Sequence, residues 1–192
     1  EIIRRYYKAL CDRRRGHDAG KEIEKLELLL SKADITAADR KVVAAANEIA
    51  EQTGAPAAAI ELADGTVLTG KTKQLLGAAS SMILNALKHL AKIDDSVELI
   101  PSDLIEPVQS LKVNYLGSRN PRLHVDEVLV ALSVAAARNR TAAKALSFLP
   151  MLKGAQVHCS VILSGTDSSI LSRLGIDLTT EPDYENDNLY HL

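Results

Sequence analysis

The chain has 192 residues, 46% hydrophobic and 25% charged, with a formal net charge of −2. That balance suits one good-sized globular unit and excludes wholesale disorder, and a charge so near zero excludes attraction of the whole chain to nucleic acid or to an acidic membrane surface. One Phe, five Tyr and no Trp leave the core to Ala, Leu, Ile and Val, with few platforms on which bases could stack.

The chain opens Glu1-Ile2-Ile3 with no methionine and no capping residue, already inside a helical pattern, so a fragment of a longer polypeptide is expected. Ile3, Tyr6, Tyr7 and Leu10 fall at helical spacing, with Arg4, Arg5 and Lys8 between them, and Gly16 ends the helix. Ile23, Leu26 and Leu30 mark a second helix. Thr36 opens a third, with Asp39 placed to reach back as a capping box. Val42, Val43, Ala46, Ile49 and Ala50 form its inner face, and Gly54 is a left-handed stop. Residues 1–53 are expected to be a small helical subdomain and residues 54–192 an α/β domain.

The period changes at Ala57–Leu62, an apolar run that returns through Asp64-Gly65 as Thr66–Gly70, a predicted hairpin. A long helix follows over Leu76–Ala91, then a strand over Val97–Ile100 and a helix over 102–112 despite Pro107. Asn114–Pro121 is a loop. Asp126 and Glu127 start a nearly all-apolar helix through Ala137, whose run is about half the ~20 residues of a membrane span and indicates a buried helix. Thr141 caps another helix ending at Pro150. Ala155–Leu163 is a buried strand, Thr166 caps a helix to Leu174, and Ile176–Thr179 is the last strand before a polar tail over 181–192. Alternating strands and helices imply a mixed, mostly parallel sheet covered on both faces, with the hairpin adding one antiparallel pair.

The stretches Glu1-Ile-Ile-Arg-Arg-Tyr-Tyr-Lys-Ala-Leu, Ala79-Ser-Ser-Met-Ile-Leu-Asn-Ala-Leu-Lys and Leu149-Pro-Met-Leu-Lys-Gly resemble a bacterial family of uncharacterised proteins, domain-of-unknown-function family 1846. Asp126-Glu-Val-Leu-Val-Ala-Leu-Ser and Leu174-Gly-Ile-Asp-Leu-Thr also fit. The resemblance implies a further N-terminal domain with a nucleotide-binding-like fold and a glycine-rich phosphate-type loop. Some relatives carry the label "ATP-dependent peptidase", but the family supplies no catalytic residues. The element order also resembles the cytidine-deaminase-like fold. The zinc ligands of that fold are missing: the helix start is Gly77-Ala78-Ala79-Ser80-Ser81, and no Cys pair follows.

Several residues are candidates for a site. Ser80, Ser81 and Asn85, near the start of an apolar helix, could hold an anion or only cap and pack it. His158 and Cys159 are strand neighbours and face opposite sides; Cys159 fits as a small core residue. The histidines and cysteines show no metal-ligand spacing, so no metal or cofactor is expected, and no Gly-x-Ser-x-Gly is present. Cys11 and Cys159 lie too far apart in sequence to suggest a disulfide framework, which suits a reduced, cytoplasmic protein. Arg4-Arg5 and Arg13-Arg14-Arg15 are the strongest basic clusters, either a solvated helix face or a surface that pairs with the rest of the polypeptide. Lys112, Arg119 and Arg122 make the 114–122 loop basic as well.

A polar pocket is predicted from Ser80, Ser81, Asn85, His158 and Ser160, with Lys153 at its rim. The alternative is a set of satisfied polar groups holding helix to sheet. Function is expected to be help in binding a phosphorylated or nucleotide-like molecule together with the N-terminal domain. The alternatives are part of an ATP-dependent hydrolase or a non-catalytic oligomerisation module, and a homo-oligomer without membrane or nucleic-acid partners is expected.

Overall fold

The computed structural model describes residues 1–185, and the expected polar tail beyond Glu185 lies outside them. Helices α1 (Ile2–Arg14) and α2 (Gly20–Ala33) pack through Ala9, Ala19, Ile23 and Leu26. The Asp39 carboxylate accepts the Thr36 N–H at 2.6 Å. This contact closes a single 3-10 turn, Ala37–Asp39, ahead of α3 (Lys41–Thr53), which Gly54 ends at φ 63.

Four strands form the sheet: β1 (Ala57–Glu61), β2 (Val67–Lys71), β3 (Gln156–Cys159) and β4 (Asp177–Thr180), in the order β2-β1-β3-β4. In the β1–β2 turn only Gly65 takes positive φ, at 83. Asp64 contributes through its side chain, accepting the Thr66 N–H at 2.9 Å.

The sheet is mostly antiparallel, which corrects the sequence expectation. β1 opposes both β2 and β3, and only β3 and β4 run parallel. The cause is the missing strand at 97–100. There Asp94 accepts the Ser96 N–H at 2.9 Å in a tight turn, and Leu99 and Ile100 enter the core as loop residues. The chain therefore returns to the sheet only at β3, beside β1 and opposed to it. A cytidine-deaminase-like order has no support in such a sheet.

Helices cover both faces. Strand alternation turns Ala58, Ile60, Val157 and Cys159 toward α4 (Ala78–Leu90) and α6 (Val125–Ala136). Ala59 faces Val42 and Ala46 of α3, and His158 faces Tyr7 of α1. Helix α4 lies directly on β2, because a Cβ at Gly70 would sit 2.2 Å from the Met82 backbone nitrogen. Helix α5 (Ser102–Asn114) accommodates Pro107 and packs on α6.

Helix α6 is not buried all round: Val130 is 65% and Val134 55% exposed. Helix α7 (Arg140–Ser147) is capped by Asn139, which accepts the Thr141 and Ala142 N–H groups, and not by Thr141. Helix α8 (Gly165–Arg173) is capped by Ser164 and not by Thr166. Among the described residues, no helix is long and apolar enough to cross a membrane.

Candidate functional site

The parallel pair β3–β4 ends beside the start of α8, and α1 lies along β4. In α/β folds ligands gather outside the C-terminal ends of parallel strands, next to helix N-termini. A hollow of about 240 Å³ occupies that position, lined by Arg4, Arg5, Lys8 and Arg15 of the α1 segment and by Ser168, Thr179 and Thr180. The helical repeat explains the cations: positions 4, 8 and 15 share one face with Cys11. Cys11 turns toward the sheet, its Sγ 3.2 Å from Thr180 Oγ1.

Among the described residues, no carboxylate lines this hollow. The cations pair outside it, Arg4 with Glu1 at 2.9 Å, Arg5 with Glu22 at 3.4 Å, and Arg15 with Asp12 at 3.5 Å. Such exposed pairs hold their partners weakly and can exchange them. The basic surface continues around Arg15 to Arg14, whose guanidinium lies 5.1 Å over the Tyr184 ring, and on to Ser164 and Gly165 at the positive end of α8.

On the other side of the first turn of α8 lies a cluster of titratable groups. Asp167 Oδ2 is 2.8 Å from His124 Nδ1, and Asp167 Oδ1 accepts the Val125 N–H at 2.7 Å. Ser164 Oγ donates to Asp167 Oδ2 at 3.0 Å and accepts the Asp167 N–H at 3.1 Å. The hydrogen bond from His124 to Asp167 raises the imidazole pKa, against the opposing effect of burial. Burial pushes the Asp167 carboxyl upward, but the bonds from His124, Val125 and Ser164 outweigh it and leave the pKa below the ordinary value. With Nδ1 fixed by Asp167, Nε2 is the nitrogen available for proton exchange, and no hydrogen bond reaches it among the described residues. Beneath the same end of α6, Lys112 Nζ meets Glu127 at 2.7 Å and donates to the Arg122 carbonyl at 2.7 Å, while Arg122 pairs with Glu185.

The six residues predicted from sequence do not converge. Ser80 Oγ donates to the Leu123 carbonyl at 3.0 Å, on the α4 side of the sheet. His158 is fully buried on the α1–α3 side, with Nδ1 2.9 Å from Thr179 Oγ1 and Nε2 3.2 Å from Glu181. Ser160 Oγ accepts the Ala57 N–H at 3.0 Å. Lys153 lays its stem against Gly175. Only Ser81 and Asn85 share a hollow, away from His158. The separation follows from β3: α4 covers its Val157–Cys159 face, so His158 points through to the other layer. Sequence reasoning missed Asp167. The Ser164-x-x-Asp167 spacing at a helix start was its available signal.

Fold and site together define a three-layer α/β domain with a basic cleft at one sheet edge. The chain belongs to the DUF1846 family: residues 38–190 match the family described as "Domain of unknown function DUF1846, C-terminal". Over 190 residues it is 52% identical to UPF0371 protein cu0538 of Corynebacterium urealyticum and 44% identical to a UPF0371 protein of Streptococcus sanguinis. UPF0371 protein DIP2346 of Corynebacterium diphtheriae is 48% identical over the same length. Each match covers 99% of this chain and 38% of the relative, so the chain spans well under half the length of these proteins.

Proposed function

We propose that this domain helps a longer polypeptide bind a small phosphorylated or nucleotide-like molecule at the basic hollow. One observation carries the reading: four cations, and among the described residues no carboxylate, line the hollow. A tetrahedral dianion there would gain charge-assisted hydrogen bonds from Arg and Lys and would displace only weak surface pairs. Neighbouring Ser168 and Thr180 hydroxyls suit the remaining phosphate oxygens. The test is thermal denaturation of the full-length protein against inorganic phosphate, nucleotides and sugar phosphates. A ligand at 100 times its Kd stabilises by about 2.7 kcal/mol, readily seen as a rise in Tm. Arg4→Ala with Arg15→Ala should abolish that rise. No shift with any phosphate compound, or a shift that survives the double substitution, overturns the proposal.

A second reading, a hydrolase, is favoured by the His124–Asp167 pair. His124 and Asp167 line a separate small hollow, where His124 Nε2 could take a proton from an attacking water, with Asp167 stabilising the imidazolium that results. ATP and casein turnover by the full-length protein, compared with His124→Ala, separates this reading from simple binding. Turnover that His124→Ala leaves unchanged removes His124 from the chemistry.

A further inference from the structure

A hollow of about 280 Å³ lies between α4 and the loop that leads into α5, remote from the basic cleft. Its size is at the small end of ligand pockets, which begin near ~300 Å³. One wall is apolar, from Leu99, Ile100 and Ile105, all at least nine-tenths buried. The other wall is a polar stripe of α4, and the charged Lys73 and Glu98 also line the hollow. Ser81, Asn85 and Lys88 recur one turn apart and span about 10 Å along the helix.

The stripe is not satisfied from within. Ser81 is 3% exposed, and its hydroxyl has no hydrogen-bond partner among the described residues. Buried hydroxyls in folded proteins are nearly always paired, and this unpaired one belongs to a residue that lines the hollow. Asn85 Nδ2 is committed to the Thr69 carbonyl at 2.8 Å, which fixes the amide and leaves Oδ1 as an acceptor. Lys88 Nζ donates to the Asp95 carbonyl at 2.9 Å and keeps further N–H donors at the open end. Burial lowers the Lys88 pKa, consistent with a cation held partly out of water.

We propose that this hollow is a second ligand site, for a small amphipathic carboxylate. The apolar body lies against Leu99 and Ile100, an N–H or O–H group meets Asn85 Oδ1 and the Ser81 hydroxyl, and the carboxylate meets Lys88. The order hydroxyl, amide oxygen, ammonium sets the polarity of the ligand along α4. The site is independent of the phosphate reading, since the two hollows share no lining residue.

The probe is N-acetyl-L-leucine, with N-acetyl-L-leucinamide as its uncharged partner, added to the full-length protein and followed by saturation-transfer NMR. The leucine methyls of the acid should receive saturation, and the amide should bind about tenfold more weakly, the size of one charge-assisted hydrogen bond. Lys88→Met should weaken the acid to the level of the amide, and Ser81→Ala should weaken both. Inorganic phosphate binding, measured in the same samples, should not change. Three results overturn the proposal: no transfer to the acid, equal transfer to acid and amide, or a crystal structure with only an ordered water on Ser81 Oγ in excess probe. The acid–amide comparison uses the unaltered protein, so it decides even if a variant fails to fold.

Discussion

Asp167 bridges the starts of two helices: one carboxylate oxygen lies 2.8 Å from His124 Nδ1 and the other accepts the Val125 N–H at 2.7 Å. The pair therefore ties α6 to α8 through two pKa shifts of opposite sign. Asp167, with its folded pKa lowered, contributes stability above its unfolded pKa near ~3.9 and loses it as pH falls through the folded value. His124, with its folded pKa raised, contributes fully below its unfolded pKa near ~6.5 and loses it as pH rises through the folded value. The pair should stabilise most between about pH 4 and 6.5. Urea denaturation across pH should show Asp167→Asn losing stability most in that window. An equal loss at pH 5 and pH 9 would contradict the assignment.

Gly70 lets the backbone of α4 rest on β2. A methyl group there would meet Met82 N at 2.2 Å and Met82 Cα at 2.6 Å, both main-chain atoms that cannot rotate away. Gly70→Ala should cost about 3 kcal/mol or more, the upper range of overpacking, and lower Tm accordingly. Gly77→Ala is the control, because its nearest neighbour, the Leu123 carbonyl oxygen, lies 3.9 Å away.

The two thiols should differ in reactivity. Cys159 is fully buried between sheet and α4, and burial pushes its pKa far above that of a free thiol. Cys11 is also buried and also raised by burial, but it borders the basic hollow. Iodoacetamide should label Cys11 first in the native protein, and Cys159 only on the timescale of global unfolding. A phosphate compound occupying the hollow should slow labelling of Cys11 alone.

Local patterns were legible in the sequence where they depend on nearest neighbours. Ile23 and Leu26, the Thr36–Asp39 box, the Gly54 stop and the hairpin at Gly65 all appear where spacing and turn chemistry placed them. Strand direction was not legible, because it depends on how the chain crosses back between β2 and β3, over 80 residues away. Leu99 and Ile100 show the difficulty: an apolar run before Pro101 fits a buried strand or a buried loop equally well. The candidate pocket failed to assemble for the same reason. Period 2 separates His158 from Cys159, but it does not say which of them α4 will cover. The basic cleft was half legible: Arg4, Arg5 and Arg15 stood out, while their convergence with Ser168 and Thr180 is a product of tertiary packing.

His158 sits at the centre of a buried polar network. Its Nδ1 is 2.9 Å from Thr179 Oγ1, its Nε2 is 3.2 Å from Glu181, and its ring stacks edge-on against Tyr7 with centroids 5.0 Å apart. Glu181 also accepts from Asn47 at 2.8 Å and from the Tyr7 hydroxyl at 3.3 Å. Burial pushes the Glu181 carboxyl upward, but the bonds from His158 and Asn47 win and hold it below its ordinary pKa. His158→Ala removes one donor to that carboxylate, leaves Thr179 Oγ1 with only its bond to the Val157 carbonyl among the described residues and opens a cavity, at a combined cost of about 3 kcal/mol. His158→Gln keeps a donor of similar reach and should recover part of the loss. The acid limb gives the more specific readout. A Glu with a lowered folded pKa contributes stability above its unfolded value near ~4.3 and loses it as pH falls through the folded one, so weakening the depression shrinks that contribution. The destabilisation by His158→Ala, measured by urea titration, should therefore be larger at pH 6 than at pH 3. A penalty independent of pH would mean that His158 acts by filling space alone.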